Sequence, residues 1–499
     1  MTSPWPKTLA EKLRKPAWAI FLFTLPVTSF PYFPPIIGGG ALVRPLSIYP
    51  LLLLLFLTTL PTLLRKPLPK TLLPLLVFVL FALTSSLLSL LRGIEPAHDI
   101  PVMDRILRTV VTLALGCAFY FTVALTPRSL EDLRFSLRWI YAGFIAALAW
   151  GSLQAIYIVA SWQSWYRLMN KLQRLISSRR LMQNRISGLT YEPNWFGEQL
   201  TFLLLPWLVA SVLSGYTVFR WRRGWLTVEA ILLSWVVLIV PFTYSRAGVV
   251  NLIIVSVAGL LLFRLRPGQK TAASNATKKH VIKRLVEIIL VLIGIGGLVF
   301  SVGAKNEFFA RIWDYWKKKE VSLSGYMKYL GFEARFTYSG TAFRIFETYP
   351  LMGVGLGNYA YYFEEMLPDS PLAYTPEVLR VITPEEGRNR LITAKNFYFR
   401  LLAETGIMGF SAFIAFSVAI LGNCLALIVS PYQKPGFWGK AGLLGFIAFL
   451  FSALSFDSFA LPNMWVVFGL ITAAAWVFRQ PSLMLQEIHL AEDFTLEYM

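Results

Sequence analysis

Apolar stretches, each closed by a polar or Pro/Gly-rich break, follow one another along almost the whole chain. At about 20 residues per apolar span, the pattern predicts twelve transmembrane helices, near 17–33, 46–64, 71–91, 106–125, 135–160, 196–214, 225–244, 247–263, 285–303, 397–430, 441–458 and 463–478. The first stretch carries Pro26 and runs into Pro31, Pro34, Pro35 and three glycines, so it is expected to end as a broken helix sheltered by protein or water. No small-residue cleavage site follows it, so no cleavable signal is expected. The expected fold is therefore an all-α polytopic membrane protein.

Two long segments interrupt the apolar pattern. In 161–195, Trp162, Trp165, Leu168, Leu172, Leu175 and Ile176 recur at three- and four-residue spacing, while Arg167, Lys171, Arg174 and Arg179 fall on another face. That is the pattern of an interfacial amphipathic helix. The second segment, 304–395, contains Trp313, Trp316 and Lys317–Lys319, then a Pro-rich acidic stretch around 364–386. It is too long for a mere connector. The expected organisation is nine helices over 1–303, a large external loop over 304–395, three helices over 396–479 and a short cytoplasmic tail over 480–499. Residues 266–284 read as a solvated basic linker.

Composition agrees with this layout and excludes a water-soluble fold. The chain is 56% hydrophobic and only 15% charged, with a mean hydropathy of +0.58, whereas soluble domains carry about 25% charged residues. The net charge of +20 is unusual for such a chain, and its distribution sets the topology. Loops on the side of the N-terminus hold 23 Lys and Arg, against five in the short opposite loops. By the positive-inside rule both termini are cytoplasmic. The other 19 basic residues lie in the two long external segments and the helix start after the second. There, charge suits an anionic partner at the membrane surface rather than a nucleic acid. Cys117 and Cys424 lie in apolar runs, and His98, His280 and His489 show no ligand spacing, so no metal centre is expected.

Arginine grips phosphate with a fixed fork of donors and keeps its charge. Arg246 occupies the short external turn Thr243-Tyr244-Ser245-Arg246-Ala247-Gly248; Arg185 opens Arg185-Ile186-Ser187-Gly188-Leu189-Thr190-Tyr191-Glu192-Pro193-Asn194; Arg335 precedes Gly340-Thr341-Ala342-Phe343-Arg344. Taken singly, each reads as an arginine snorkelling to the interface; convergence on one cleft would make them a site. Glu192 reads either as a general base or as a charge partner for the helix it precedes. Glu404 and Asp457 lie in apolar runs, where an ionisable group marks a functional site by default. Gly353-Val354-Gly355-Leu356-Gly357 lacks the flanking strand of a dinucleotide fingerprint and reads as a tight turn.

Ser245-Arg246, Arg335 ahead of Pro350, Gly353-Val354-Gly355 and the run Asn396-Phe397-Tyr398-Phe399-Arg400-Leu401-Leu402-Ala403-Glu404-Thr405-Gly406-Ile407-Met408-Gly409 together resemble the O-antigen ligase and O-antigen polymerase superfamily. The resemblance covers about 185–420 in motifs and the whole chain in layout. It implies a GT-C type glycosyltransferase of the bacterial inner membrane, with its active site on the external side and no metal or other cofactor. Such enzymes move a glycan from an undecaprenyl diphosphate carrier to a hydroxyl of lipid A core (ligase) or of another repeat (polymerase). Arg246 and Arg335 would hold the diphosphate with help from Arg185, while Asn194, Asn396 and Arg344 complete the candidate substrate-binding set. Where ligases of the family carry His-Asn, this chain has Lys395-Asn396; Lys395 would serve as a further phosphate clamp or as the base, and the exchange shifts weight from ligase toward polymerase. His98 would replace the missing histidine only through tertiary proximity. A transporter of inorganic carbon would require paired interrupted helices in two repeats, which the sequence lacks. A non-catalytic scaffold would need no arginine cluster.

Overall fold

The computed structural model describes residues 9–32, 43–65, 67–97, 99–224, 226–264, 274–304, 307–318, 320–368, 373–383, 391–430 and 433–479. His98, the residues immediately following Tyr32 and the 480–499 tail lie outside them. The chain is a helical membrane protein. Among the described residues, eight helices are long and apolar enough to cross a membrane, and three more, Val228–Thr243, Ile288–Gly303 and Pro462–Phe478, are apolar but shorter. In chain order the helices are α1 (Leu9–Phe23), α2 (Ile48–Arg65), α3 (Leu72–Leu90), α4 (Val102–Leu125), α5 (Leu130–Ala160), α6 (Gln163–Ile176), α7 (Pro193–Ser214), α8 (Val228–Ile239), α9 (Arg246–Arg264), α10 (Ser274–Gly303), α11 (Glu307–Asp314), α12 (Leu323–Tyr329), α13 (Glu333–Thr348), α14 (Pro376–Ile382), α15 (Phe397–Val429), α16 (Gln433–Ser452) and α17 (Pro462–Phe478). A two-residue hairpin, β1 (Arg222–Arg223) with β2 (Leu226–Thr227), precedes α8.

Helix boundaries depart from the apolar runs where local chemistry overrides hydropathy. The first helix stops at Phe23, before Pro26, rather than filling 17–33. Helix α5 starts early because Ser129 caps it, accepting the Asp132 amide. Residues 274–284, expected in a linker, open α10; they contain neither Gly nor Pro and propagate a helix readily. The eleventh apolar run ends as a helix at Ser452, where Ser455 and Phe456 bond back to the Ser452 carbonyl. Asp457 therefore lies in the connection to α17 rather than inside a span.

Helix α17 is buried along nearly its entire length, which explains an apolar pattern with no polar face. Around it pack α4, α15 and α16; Gly116 of α4 presses on the Trp465 indole, where any larger residue would collide. Phe397, Phe413, Phe449 and Phe459 form an aromatic core with ring centroids 5.1–6.3 Å apart. Helix α6 is the expected amphipathic element. It buries Met169 and Gln173 and leaves Leu168, Leu172 and Leu175 exposed, an outward apolar face suited to a bilayer interface.

Candidate anion-binding site

Four cations gather at one end of the bundle, each close to the start of a helix. The loop carrying Arg185 is fixed from below by buried Gln154. Its Oε1 accepts the Ser187 and Gly188 amides at 2.9 and 3.0 Å, and its Nε2 donates to the Gly188 carbonyl. Gly188 has a positive φ of 54° and lies where a side chain would strike the Phe196 ring. Held this way, Arg185 donates through Nε to the Thr243 carbonyl at 2.9 Å and through Nη2 to Asn194 Oδ1 at 2.7 Å. Asn194, a candidate substrate ligand, thus orients the arginine. Burial pulls the Arg185 guanidinium down to about 10; Glu192 opposes the shift, and Arg179 and Arg246 add to it. The group stays charged at neutral pH in the company of other cations.

The turn that receives Arg185 also positions Arg246. Tyr244 is left-handed, with φ 48°, and Ser245 Oγ accepts the Gly248 amide to cap α9. Arg246 is the first residue of that helix. Its Nη1 donates to the Leu330 carbonyl at 2.7 Å, the guanidinium lies over Phe332, and Arg311 and Arg335 are within electrostatic range. Arg335, in the first turn of α13, donates to the Lys395 carbonyl at 3.4 Å. Lys395 has φ 50°, a left-handed conformation rarely adopted by residues other than glycine. Its amide donates to Asp457 Oδ2 at 2.7 Å, its Nζ to Glu377 Oε1 at 2.7 Å, and the ammonium sits over the Tyr338 ring.

The expected set is therefore brought together for Arg185, Asn194, Arg246, Arg335 and Lys395. The remaining candidates have hydrogen-bond partners within the protein. Arg344 lies nine residues after Arg335, about two and a half helical turns and so on the opposite face; it donates to the Leu367 carbonyl. Asn396 spends Oδ1 capping α15, accepting the Tyr398 and Phe399 amides. Glu192 immediately precedes α7 and accepts Arg179 Nη1 at 2.8 Å.

Three features emerge only in the fold. Glu377, from the acidic stretch of the loop, joins Lys395, Tyr338 and Arg335; burial would raise its carboxyl, but the Lys395 ammonium, the Tyr338 hydroxyl and Arg335 outweigh it and hold the group below the ordinary glutamate range. Beneath Lys395, Arg400 donates to Glu404 Oε2 at 3.0 Å and to the Asp457 carbonyl. Near the start of α7, Oε1 of the buried Glu198 accepts from Asn463 Nδ2 at 3.4 Å. Glu404 and Asp457 carried a sequence signal as charges in apolar runs; their partner Arg400 carried none.

The glycine run is indeed a turn, and the structure shows what it docks against. Helix α15 breaks at Gly406, with φ 59° and ψ −166°, and the freed Ala403 and Glu404 carbonyls accept the Val354 and Gly355 amides at 2.9 Å. A Cβ on Gly353 would overlap the main chain of Ala403, Glu404 and Gly406, and one on Gly406 the main chain of Leu351 and Met352. This docking ties α13, through the turn after it, to the base of α15, and so fixes Arg335 relative to Lys395.

Residues 230–414 match the O-Antigen ligase family, a stretch that contains Arg246, Arg335 and Lys395. A search among curated proteins returned no match.

Proposed function

We propose that this chain, a member of the O-antigen ligase and polymerase superfamily through its 230–414 domain, is a metal-independent glycosyltransferase that moves a glycan from an undecaprenyl diphosphate carrier to an acceptor hydroxyl, in the manner of an O-antigen ligase. The observation that supports this most is the convergence of Arg185, Arg246, Arg335 and Lys395 at the starts of α7, α9, α13 and α15. The N-terminal end of a helix is itself electropositive, with unpaired N–H groups. Placing a cation there is unfavourable unless an anion joins them, and a diphosphate supplies two phosphate groups at once.

In the proposed reaction the acceptor oxygen forms a bond to the anomeric carbon as the bond from that carbon to the diphosphate oxygen breaks. The acceptor proton passes to a base, and the carrier leaves as its diphosphate. Arg246 and Arg335 stabilise the charge developing on that leaving oxygen, the role often taken by a divalent ion. The donor already carries the energy of the reaction, so no nucleotide is needed. Of the two readings of Lys395, the clamp is favoured by its place between Arg335 and Glu377. Lys395→Ala should lower turnover about tenfold to a hundredfold, and Lys395→Arg should retain most activity with an unchanged pH–rate profile. Displacement of the basic limb by Lys395→Arg would instead assign Lys395 as the base.

The deciding experiment is incubation of the purified protein with undecaprenyl diphosphate glycan and with lipid A core or a second lipid-linked glycan. A new conjugate to core identifies a ligase, a longer lipid-linked chain a polymerase, and no transfer with either refutes the proposal. Transfer is expected to persist in EDTA; loss that magnesium restores would overturn the metal-independent mechanism.

A further inference from the structure

At the other end of the bundle from the arginine cluster, a cavity of about 330 Å³ opens between the start of α3 and the ends of α15 and α17. Its lining includes Lys70, Thr71, Asn423, Thr472, Trp476 and Arg479, and none of its lining residues is acidic. The volume falls in the range of small-ligand sites.

Among the described residues the hydrogen bonding of the walls leaves donors uncommitted. Tyr120 has one hydroxyl proton and gives it to Thr71 Oγ1 at 3.0 Å; its oxygen is then the acceptor for Thr472, also 3.0 Å away. Thr71 keeps its own proton. Arg479 Nη2 donates to Asn423 Oδ1 at 3.2 Å, which commits the amide oxygen and leaves the two N–H donors of Asn423. Among the described residues neither Lys70 nor Arg479 has a carboxylate partner. Among the described residues the cavity thus combines two exposed cations with two buried donor groups and no negative charge, a set that matches the acceptor oxygens of a phosphate. It also reaches from the helix ends at Lys70 and Arg479 into the body of α15 at Asn423 and Ala419, so its outer part lies at the depth where a bilayer places its phosphates.

We propose that this cavity binds a phosphate ester anion, presented by the headgroup of an anionic phospholipid at the face opposite the transfer site. The probe is delipidated full-length protein titrated with phosphatidylglycerol, phosphatidylcholine, glycerol 3-phosphate and inorganic phosphate, read by native mass spectrometry. Phosphatidylglycerol should bind in preference to phosphatidylcholine. Lys70→Ala and Arg479→Ala should each weaken it about fivefold, and the pair about 25-fold, as expected for single charges at a membrane surface. Arg479→Lys should restore most of the loss, which separates charge from folding. Arg138→Ala, at the same end but outside the cavity, should leave binding unchanged. Phosphatidylglycerol outcompeting glycerol 3-phosphate assigns a lipid source; equal binding of the two with the same dependence on Lys70 and Arg479 assigns a soluble phosphate. Equal retention of both lipids, wild-type binding by the double variant, or a loss in Arg138→Ala as large as in Lys70→Ala would overturn the proposal.

Discussion

Replacing Arg335 with Ala is expected to lower glycan transfer by about 10²–10³-fold, the usual loss when one preorganised donor to a developing anion is removed. Arg246→Ala should do the same. Arg335 is the cleaner test, because among the described residues its hydrogen bond to the protein is a single long one, to the Lys395 carbonyl at 3.4 Å; its removal leaves little of the described fold unsupported. Arg246 also holds the Leu330 carbonyl at 2.7 Å, so its variant needs a parallel check of folded yield. Lysine at either position keeps the charge but loses the planar fork, and should recover only part of the rate. Inorganic pyrophosphate should raise the melting temperature of the wild type and have a smaller effect in either variant, since it occupies the same donors without requiring chemistry. Wild-type transfer rates in both alanine variants would remove the arginines from the mechanism.

The positions of eight of the twelve expected spans were legible because lipid exposure forces long apolar runs, and the run 397–430 became α15 almost residue for residue. Their ends were less so, because ends are decided by single side chains: Ser129 capping α5, or the turn after Ser452 that moved Asp457 out of the membrane-length helix. In the site, Arg246 stood out because it lies in a turn too short to swing into water, and Arg185 because it opens the segment leading into α7. Glu377 did not, being one acid among several in the loop, and only the packing of α14 against α13 puts it on Lys395. For Asn396 the family resemblance drew a substrate-binding role, while in the fold its side-chain oxygen accepts two amides at the start of α15. The glycine run was readable as a turn, but its receptor, the break at Gly406, has no local signature beyond another glycine.

The second large effect is expected beneath the site. Arg400 and Glu404, 7% and 2% exposed, form a charged pair one helical turn apart in α15. Burial makes their desolvation costly, and what offsets it is their mutual bond, the Asp457 carbonyl and the Phe459 ring, 5.0 Å from the guanidinium. Arg400→Met would strand the Glu404 carboxylate, and loss of one partner from a buried pair costs about 3–5 kcal/mol. Glu404→Met would strand the arginine to a similar degree. Replacing both with Met removes both desolvation penalties, so the double variant should be markedly more stable than either single one, with the Asp457 carbonyl still missing its donor. Denaturant titration of the detergent-solubilised protein checks this as a double-mutant cycle; additive losses would show that the two side chains do not act as a pair. The same cycle measured on transfer has a different expected outcome. The Asp457 side chain holds the Lys395 amide while its carbonyl takes Arg400, so the double variant should recover stability but not rate, because the connection that sets Lys395 has lost its anchor.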